Sequence, residues 1–264
     1  MALSFRLASY NVLANSYVNP AWYPKVDPKV LDWSQRKFAL AEKIERLDAD
    51  VVCLQELEED AYSFLELNLR SKGYNNGSYA RKNHGKPDGC AIFSREGMLR
   101  FISSEAVYYD DGLGRTPSSG HLALIANFES AIGIIKIAST HLKWDSQNKA
   151  PAEHIGYRQV KGLIANCVKA NLPAYAWIIC GDLNAEPGSP IVQELILNGF
   201  VDAYHGAEQP TCNPNQRAKR IDYIFHTAGL KAIPAKLTEI DDFTPLPSAN
   251  EPSDHLAVLA MLSS

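Results

Sequence analysis

Residues 176–189 read AWIICGDLNAEPGS, an apolar run that stops at Gly181-Asp182-Leu183-Asn184. The apolar half is rich in residues that favour strands and is closed by glycine. Ser189-Pro190 follows at once and reads as the start of a helix over 190–198, with the proline at its first turn. The stretch is therefore a strand, a pair of polar residues at its end, and a helix. Alone, Gly181-Asp182 means no more than a turn between two elements.

Strand-like runs recur outward in both directions. Strands are expected at 5–11, 49–56, 89–95, 121–128, 132–140, 176–182, 220–226 and 255–262. Helices are expected at 34–47, 60–71, 151–170 and 190–198. In the first of these Leu40, Ile44 and Leu47 repeat at helical spacing behind a capping residue at Asp32 or Ser34. Helices lie early and late while 75–140 is mostly strand, which suits two packed sheets flanked by helices. The expected fold class is α/β, a four-layer αββα sandwich of two mixed sheets, formed by a single catalytic domain over 1–264. Periodicity alone does not separate it from other α/β folds.

Composition narrows the function. The 26 Lys and Arg against 30 Asp and Glu give a net charge of −4, which argues against a broad basic face tracking a long nucleic acid. Four carboxylates assigned below to the site account for that whole excess, so nucleic-acid ends and small phosphate esters stay open. Cysteines 53, 90, 167, 180 and 212 form no C-x-x-C pair and read as buried free thiols of a reducing compartment. The N-terminus shows no signal or transit peptide. No run approaches the roughly 20 apolar residues of a membrane span. The expected setting is cytoplasmic, with no membrane segment and no evident protein partner.

Apolar strands repeatedly end in residues suited to metal or phosphate chemistry: Asn11, Glu56, His141, Asp182 and Asn184, with Asp222 inside an apolar run and Asp254-His255 before the last one. Strand ends at one rim of a sheet are where open α/β sites assemble. Singly, Glu56 could be a helix cap, Asn11 a turn residue and His141 a core histidine. Asp222, flanked by Ile221, Tyr223, Ile224 and Phe225, needs a partner to stay charged when buried, and His255 can supply one. As a set they hold no cysteine, and such oxygen-rich donors select Mg²⁺ or Mn²⁺ over zinc.

The strings SYNVL (9–13), CLQEL (53–57), THLKW (140–144), GDLNAEPGS (181–189), RIDYIF (220–225) and SDHLAV (253–258) resemble, in order, the motifs of the endonuclease/exonuclease/phosphatase superfamily. Trp33-Ser34-Gln35-Arg36-Lys37, the string at 87–93 (PDGCAIF) and Lys143 resemble the branch of the deadenylases, nocturnin, the angel proteins and the 2′-5′ phosphodiesterase. Without that context Arg36 and Lys37 read as a solvated helix face. The chain has no leucine-rich repeats and is short for that branch, which points to a smaller substrate.

The resemblance implies a phosphoesterase with Glu56, Asn11 and Asp254 at a Mg²⁺ ion, Mn²⁺ being possible. It implies that Asp182 activates water, that Asn184 and His141 donate to the phosphoryl oxygens, and that Asp222 holds His255 against the phosphate. The expected substrate is a single-stranded RNA end, an oligonucleotide such as oligoadenylate, or a nucleotide. A lipid or inositol phosphate hydrolase and a catalytically inactive binding module are the alternatives. The basic stretch 81–86 is a candidate phosphate contact or a solvated loop. Tyr108, Tyr109 and Tyr204, in glycine- and proline-rich segments, are candidate base-stacking residues.

Overall fold

Every strand read from the sequence forms in the computed structural model, which describes residues 3–169 and 174–264. In chain order the elements are β1 (Ser4–Asn11), α1 (Pro28–Leu31), α2 (Trp33–Leu47), β2 (Val51–Glu58), α3 (Glu59–Arg70), β3 (Asn76–Arg81), β4 (Asp88–Ser94), β5 (Arg100–Tyr108), β6 (Leu122–Ser130), β7 (Gly133–His141), α4 (Ile155–Lys169), β8 (Ala176–Asp182), α5 (Pro190–Leu197), β9 (Phe200–Asp202), β10 (Asp222–Thr227), β11 (Lys231–Pro234) and β12 (Val258–Ser263).

The strands make two six-stranded mixed sheets, ordered β11-β12-β1-β2-β4-β3 and β5-β6-β7-β8-β10-β9. Each contains a parallel pair, β1 with β2 and β7 with β8. A parallel pair needs a long crossover, which α2 and α4 provide.

Side chains alternate across a strand, so a strand covered on both faces is apolar throughout. Cys53 and Cys180 point into the cluster between the sheets, with Leu7, Ile92, Leu124 and Ile137. Their neighbours Val52 and Leu54 pack under α2 and α3, against Leu40, Ile44 and Leu65. Ile179 packs under α4 and α5, against Val160, Leu163 and Leu195. These three apolar layers, with helices outside and two sheets inside, are the αββα sandwich.

Four strands escaped the sequence, β3, β5, β9 and β11, and each is the outer edge of a sheet. Edge strands are paired on one side only and tolerate polar residues, as in the exposed Ser103-Ser104-Glu105 of β5. The helix expected from 151 begins instead at Ile155. Residues 151–153 form a turn, and Asp145 Oδ2 accepts from the Ile155 amide at 3.0 Å. Its expected last residue, Ala170, lies outside the described residues. Asp32 caps α2 as read, Oδ1 accepting from Ser34 N at 2.8 Å. Arg36 is a correction: it is not solvated but buried with Leu40 and Ile44.

Gly181 shows how tightly β7 and β8 close. Its φ is +141°, and a Cβ there would stand 1.8 Å from the Thr140 carbonyl oxygen. Gly181→Ala should therefore destabilise the protein by more than about 2 kcal/mol in urea unfolding, beyond the usual effect of a small surface change. A midpoint unchanged from wild type would refute this close approach.

Candidate active site

The C-terminal ends of both parallel pairs meet at the seam between the sheets. β1 ends in Asn11 and β7 in His141, which pairs in register with Asp182 at the end of β8. Glu56 lies in a bulge of β2, between Gln55 and Leu57, with φ +56°. A bulge re-aims one side chain out of the strand alternation. Here it sets Glu56 at the rim, where Oε1 accepts from Asn11 Nδ2 at 2.9 Å and Oε2 from the Ala14 amide at 3.1 Å. The same Asn11 nitrogen donates to Asp182 Oδ2 at 3.0 Å.

Asp182 Oδ1 accepts from the backbone of Asn184, a residue at φ +48° that turns back toward β7. Asn184 Nδ2 then lies 2.8 Å from the Leu142 carbonyl oxygen and 3.0 Å from His141 Nε2. Donor atoms of Glu56, His141 and Asp182 all fall within 4.8 Å of one another.

Asp222 stands directly across from Asp182 on β10. Its Oδ2 is 3.0 Å from His255 Nδ1 and accepts from Thr211 Oγ1 at 2.6 Å. His255 Nε2 faces Asp182 Oδ2 at 3.8 Å. Asp254 Oδ2 is held by the Tyr23 hydroxyl at 3.0 Å, on the wall of the same cleft. All eight residues read from the sequence thus adjoin one site. Its volume is about 480 Å³, and Tyr17, Trp22 and Trp144 also line it.

The electrostatics separate the two histidines. Burial, then the Lys82 charge, holds His141 well below the usual histidine pKa. Burial also opposes charge on His255, but Asp222, Asp182 and Asp254 outweigh it and raise its pKa well above the usual value. Burial and the facing Asp222 push Asp182 up to about 7.

Sequence reasoning missed Tyr23, Trp22 and Trp144, which no polar strand-end signal marks. It also missed that Lys82, in the basic stretch read as either a phosphate contact or a solvated loop, is 5% exposed. Tyr109 and Tyr204 are corrections, for both are buried and cannot stack on a base; Tyr109 bonds Thr140 Oγ1, and Tyr204 bonds carbonyl oxygens of Ala235 and Leu259. Tyr108 stays exposed.

The raised pKa values predict a pH dependence of stability. A histidine raised in the fold gives stability that is complete below its unfolded pKa and lost as pH climbs through the folded value. Asp182 also holds its proton longer when folded, so it acts with the same sign up to about 7. The lowered His141 and His121 oppose this only below the ordinary histidine range. In chelator, Tm should fall as pH rises above about 7, less steeply in His255→Asn. A Tm rising there would refute a protonated His255.

The chain matches the Endonuclease/Exonuclease/phosphatase family over residues 8–255. It is 28% identical to Carbon catabolite repressor protein 4 homolog 4 of Arabidopsis thaliana, over 97% of this chain and 76% of that protein. It is 26% identical to the CCR4-Not complex 3'-5'-exoribonuclease subunit Ccr4 of Kluyveromyces lactis, over 97% of this chain but only 40% of that protein. Its fold is similar to that of ANGEL2, a 2',3'-cyclic phosphatase, with a TM-score of 0.86 at 24% identity, covering 99% of this chain and 95% of that one. The match runs from β1 through His255, across every strand end that builds the cleft, and the chain belongs to the Endonuclease/Exonuclease/phosphatase family of phosphoester hydrolases.

Proposed function

We propose that this protein is a Mg²⁺-dependent phosphoesterase acting on a single-stranded RNA end, an oligoadenylate or a nucleotide. The observation that carries the reading is the convergence of Glu56, His141 and Asp182 from two sheets on one cleft, beside the Asp222–His255 pair.

The donor set fits a hard divalent cation. Burial holds the Glu56 carboxyl above its usual pKa, a penalty that a neighbouring cation would relieve. Glu56 would hold the ion with Asn11 beside it and Asp254 as a further ligand, Mn²⁺ being the alternative metal. Bound there, Mg²⁺ would supply charge neutralisation at the phosphoryl oxygens and a more acidic water.

The chain's own residues do the rest. Asp182, titrating near neutrality, is suited to orient the attacking water and take its proton. Asn184 and His141 donate hydrogen bonds to phosphoryl oxygens. His255, kept protonated by Asp222, stabilises developing negative charge instead of acting as a base. Trp144 and Trp22, 65% and 48% exposed, offer flat surfaces for a nucleobase at the mouth. The names of the relatives, an exoribonuclease subunit and a 2',3'-cyclic phosphatase, support a nucleotide substrate.

A substrate panel with Mg²⁺ tests this: poly(A), 2′-5′ oligoadenylate, RNA with a 2′,3′-cyclic phosphate, a 2′-phosphorylated dinucleotide and a phospholipid. At least one nucleotide substrate should be hydrolysed, and Glu56→Ala or His255→Ala should lower kcat by about 10²-fold or more. Hydrolysis of the phospholipid alone would overturn the nucleotide reading, and near-wild-type turnover in either variant would overturn the site.

A further inference from the structure

The string 87–90 (PDGC) and the basic residues before it have no part in the reaction outlined above, yet the fold builds them into the site. Gly89 pairs with Arg81 across β3 and β4, and a Cβ there would stand 2.0 Å from the Ala80 carbonyl oxygen. Only glycine lets the strands close to that distance. The closure brings Lys82, just past the end of β3, against Asp88 at the start of β4. Lys82 Nζ donates to Asp88 Oδ2 at 2.6 Å, with side chains 3% and 0% exposed. Asp88 Oδ1 accepts from the Tyr17 hydroxyl at 2.7 Å. The carboxylate is held from two sides, and the ammonium it anchors stands 3.4 Å from His141 Nδ1.

An ammonium has three donors and no acceptor. A proton on His141 Nδ1 would face it donor against donor. Glu56 Oε1, a carboxylate oxygen that could favour that proton, is 3.8 Å away and beyond hydrogen-bond reach. We infer that Lys82 is a positioning residue that sets the tautomer of His141, placing its proton on Nε2.

The consequence lies at the cleft. Asn184 Nδ2 is identified as the amide nitrogen because it donates to the Leu142 carbonyl oxygen. At 3.0 Å its second hydrogen competes with Lys82 for the ring by favouring a bare Nε2; where the ammonium prevails, that hydrogen and the Nε2 hydrogen become two adjacent donors. Two donors side by side repel until one acceptor satisfies both, and a phosphoryl oxygen is such an acceptor. With the proton on Nδ1 instead, Nε2 would accept from Asn184 and the pair would have one donor fewer for the substrate. A buried ion pair is an expensive filler for a protein interior. Here it supplies a donor-only group that an apolar residue could not.

The inference rests on phosphoester hydrolysis as the function, but its test reads the ring without substrate, so failure of the substrate panel and failure of this assignment are distinguishable. Two-bond ¹⁵N–¹H spectra of protein labelled with ¹⁵N-histidine separate protonated from bare ring nitrogens, and a His141→Gln variant assigns the signal. The wild-type ring should carry its proton on Nε2. Lys82→Met should move it toward Nδ1 and lower kcat on the panel's best substrate by about 10²-fold while KM changes less than about threefold. Lys82→Arg, still a donor-only cation, should restore the Nε2 proton. Because Lys82→Met leaves Asp88 buried and alone, Lys82→Met/Asp88→Asn is measured beside it and should show the same shift with native circular dichroism. A wild-type ring protonated on Nδ1, or an Nε2 proton that persists in the folded double variant, overturns the assignment.

Discussion

One amide nitrogen ties the site together. Asn11 Nδ2 donates to Glu56 in its own sheet and to Asp182 in the other, at 2.9 and 3.0 Å. The two sheets meet through apolar side chains, which fill space but do not specify angle or register. Polar contacts across the seam do. Beneath Asn11, Gln55 Nε2 donates to Ser139 Oγ at 3.0 Å, again from one sheet to the other. The C-terminal segment is fastened to the same point, since Ser253 Oγ donates to the Asn11 carbonyl oxygen at 2.7 Å. Arg36 then reaches from α2 to the carbonyl oxygens of Val12 and Pro252, closing the loop that carries Asp254 and His255. Residues far apart in sequence are thus held within hydrogen-bond reach by a few buried polar groups in an otherwise apolar interface.

Those contacts hold together groups that repel. Asp182 and Asp222 face each other on adjacent strands, and like charges directly opposite destabilise a sheet. Glu56 and Asp254 add two more carboxylates to the same cleft. The compensation is local: the imidazole of His255 sits between the aspartates, and the ammonium of Lys82 lies behind Glu56 and His141. Strain is placed at the same spots, in the positive φ of Glu56 and Asn184. Stability is given up where the carboxylates and histidines gather, and the three apolar layers supply it elsewhere.

This division explains what the sequence revealed. Interior strands are apolar on both faces, so β2 and β8 announce themselves, and their polar last residues stand out against that background. Edge strands such as β5 carry no such contrast. The strand-end residues that gather at the cleft were legible for the same reason. Lys82 was not, because burial of a lysine depends on Asp88 closing over it, a pairing made by the Gly89 contact between β3 and β4. Arg36 looked solvated because helical spacing gives a face, not the carbonyl oxygens that wait beneath it. Tyr109 and Tyr204 were misread for a related reason. Glycine and proline mark a segment as irregular but do not say whether an aromatic ring within it turns inward.

The most informative contrast is between two residues of the same kind. His141 and His255 approach the same oxygen of Asp182, at 3.6 and 3.8 Å. Burial alone would make both neutral. His255 has Asp222 at its far nitrogen and is driven to hold a proton; His141 has Lys82 at its far nitrogen and is driven to give one up. Burial lowers the pKa of both rings; the partner at the far nitrogen reverses that for His255 and adds to it for His141. Groups of one type pushed in opposite directions around a shared acid are how a single fold assigns separate roles in proton transfer. In the proposed reaction one histidine would supply positive charge and the other hydrogen-bond direction to a phosphate in the cleft.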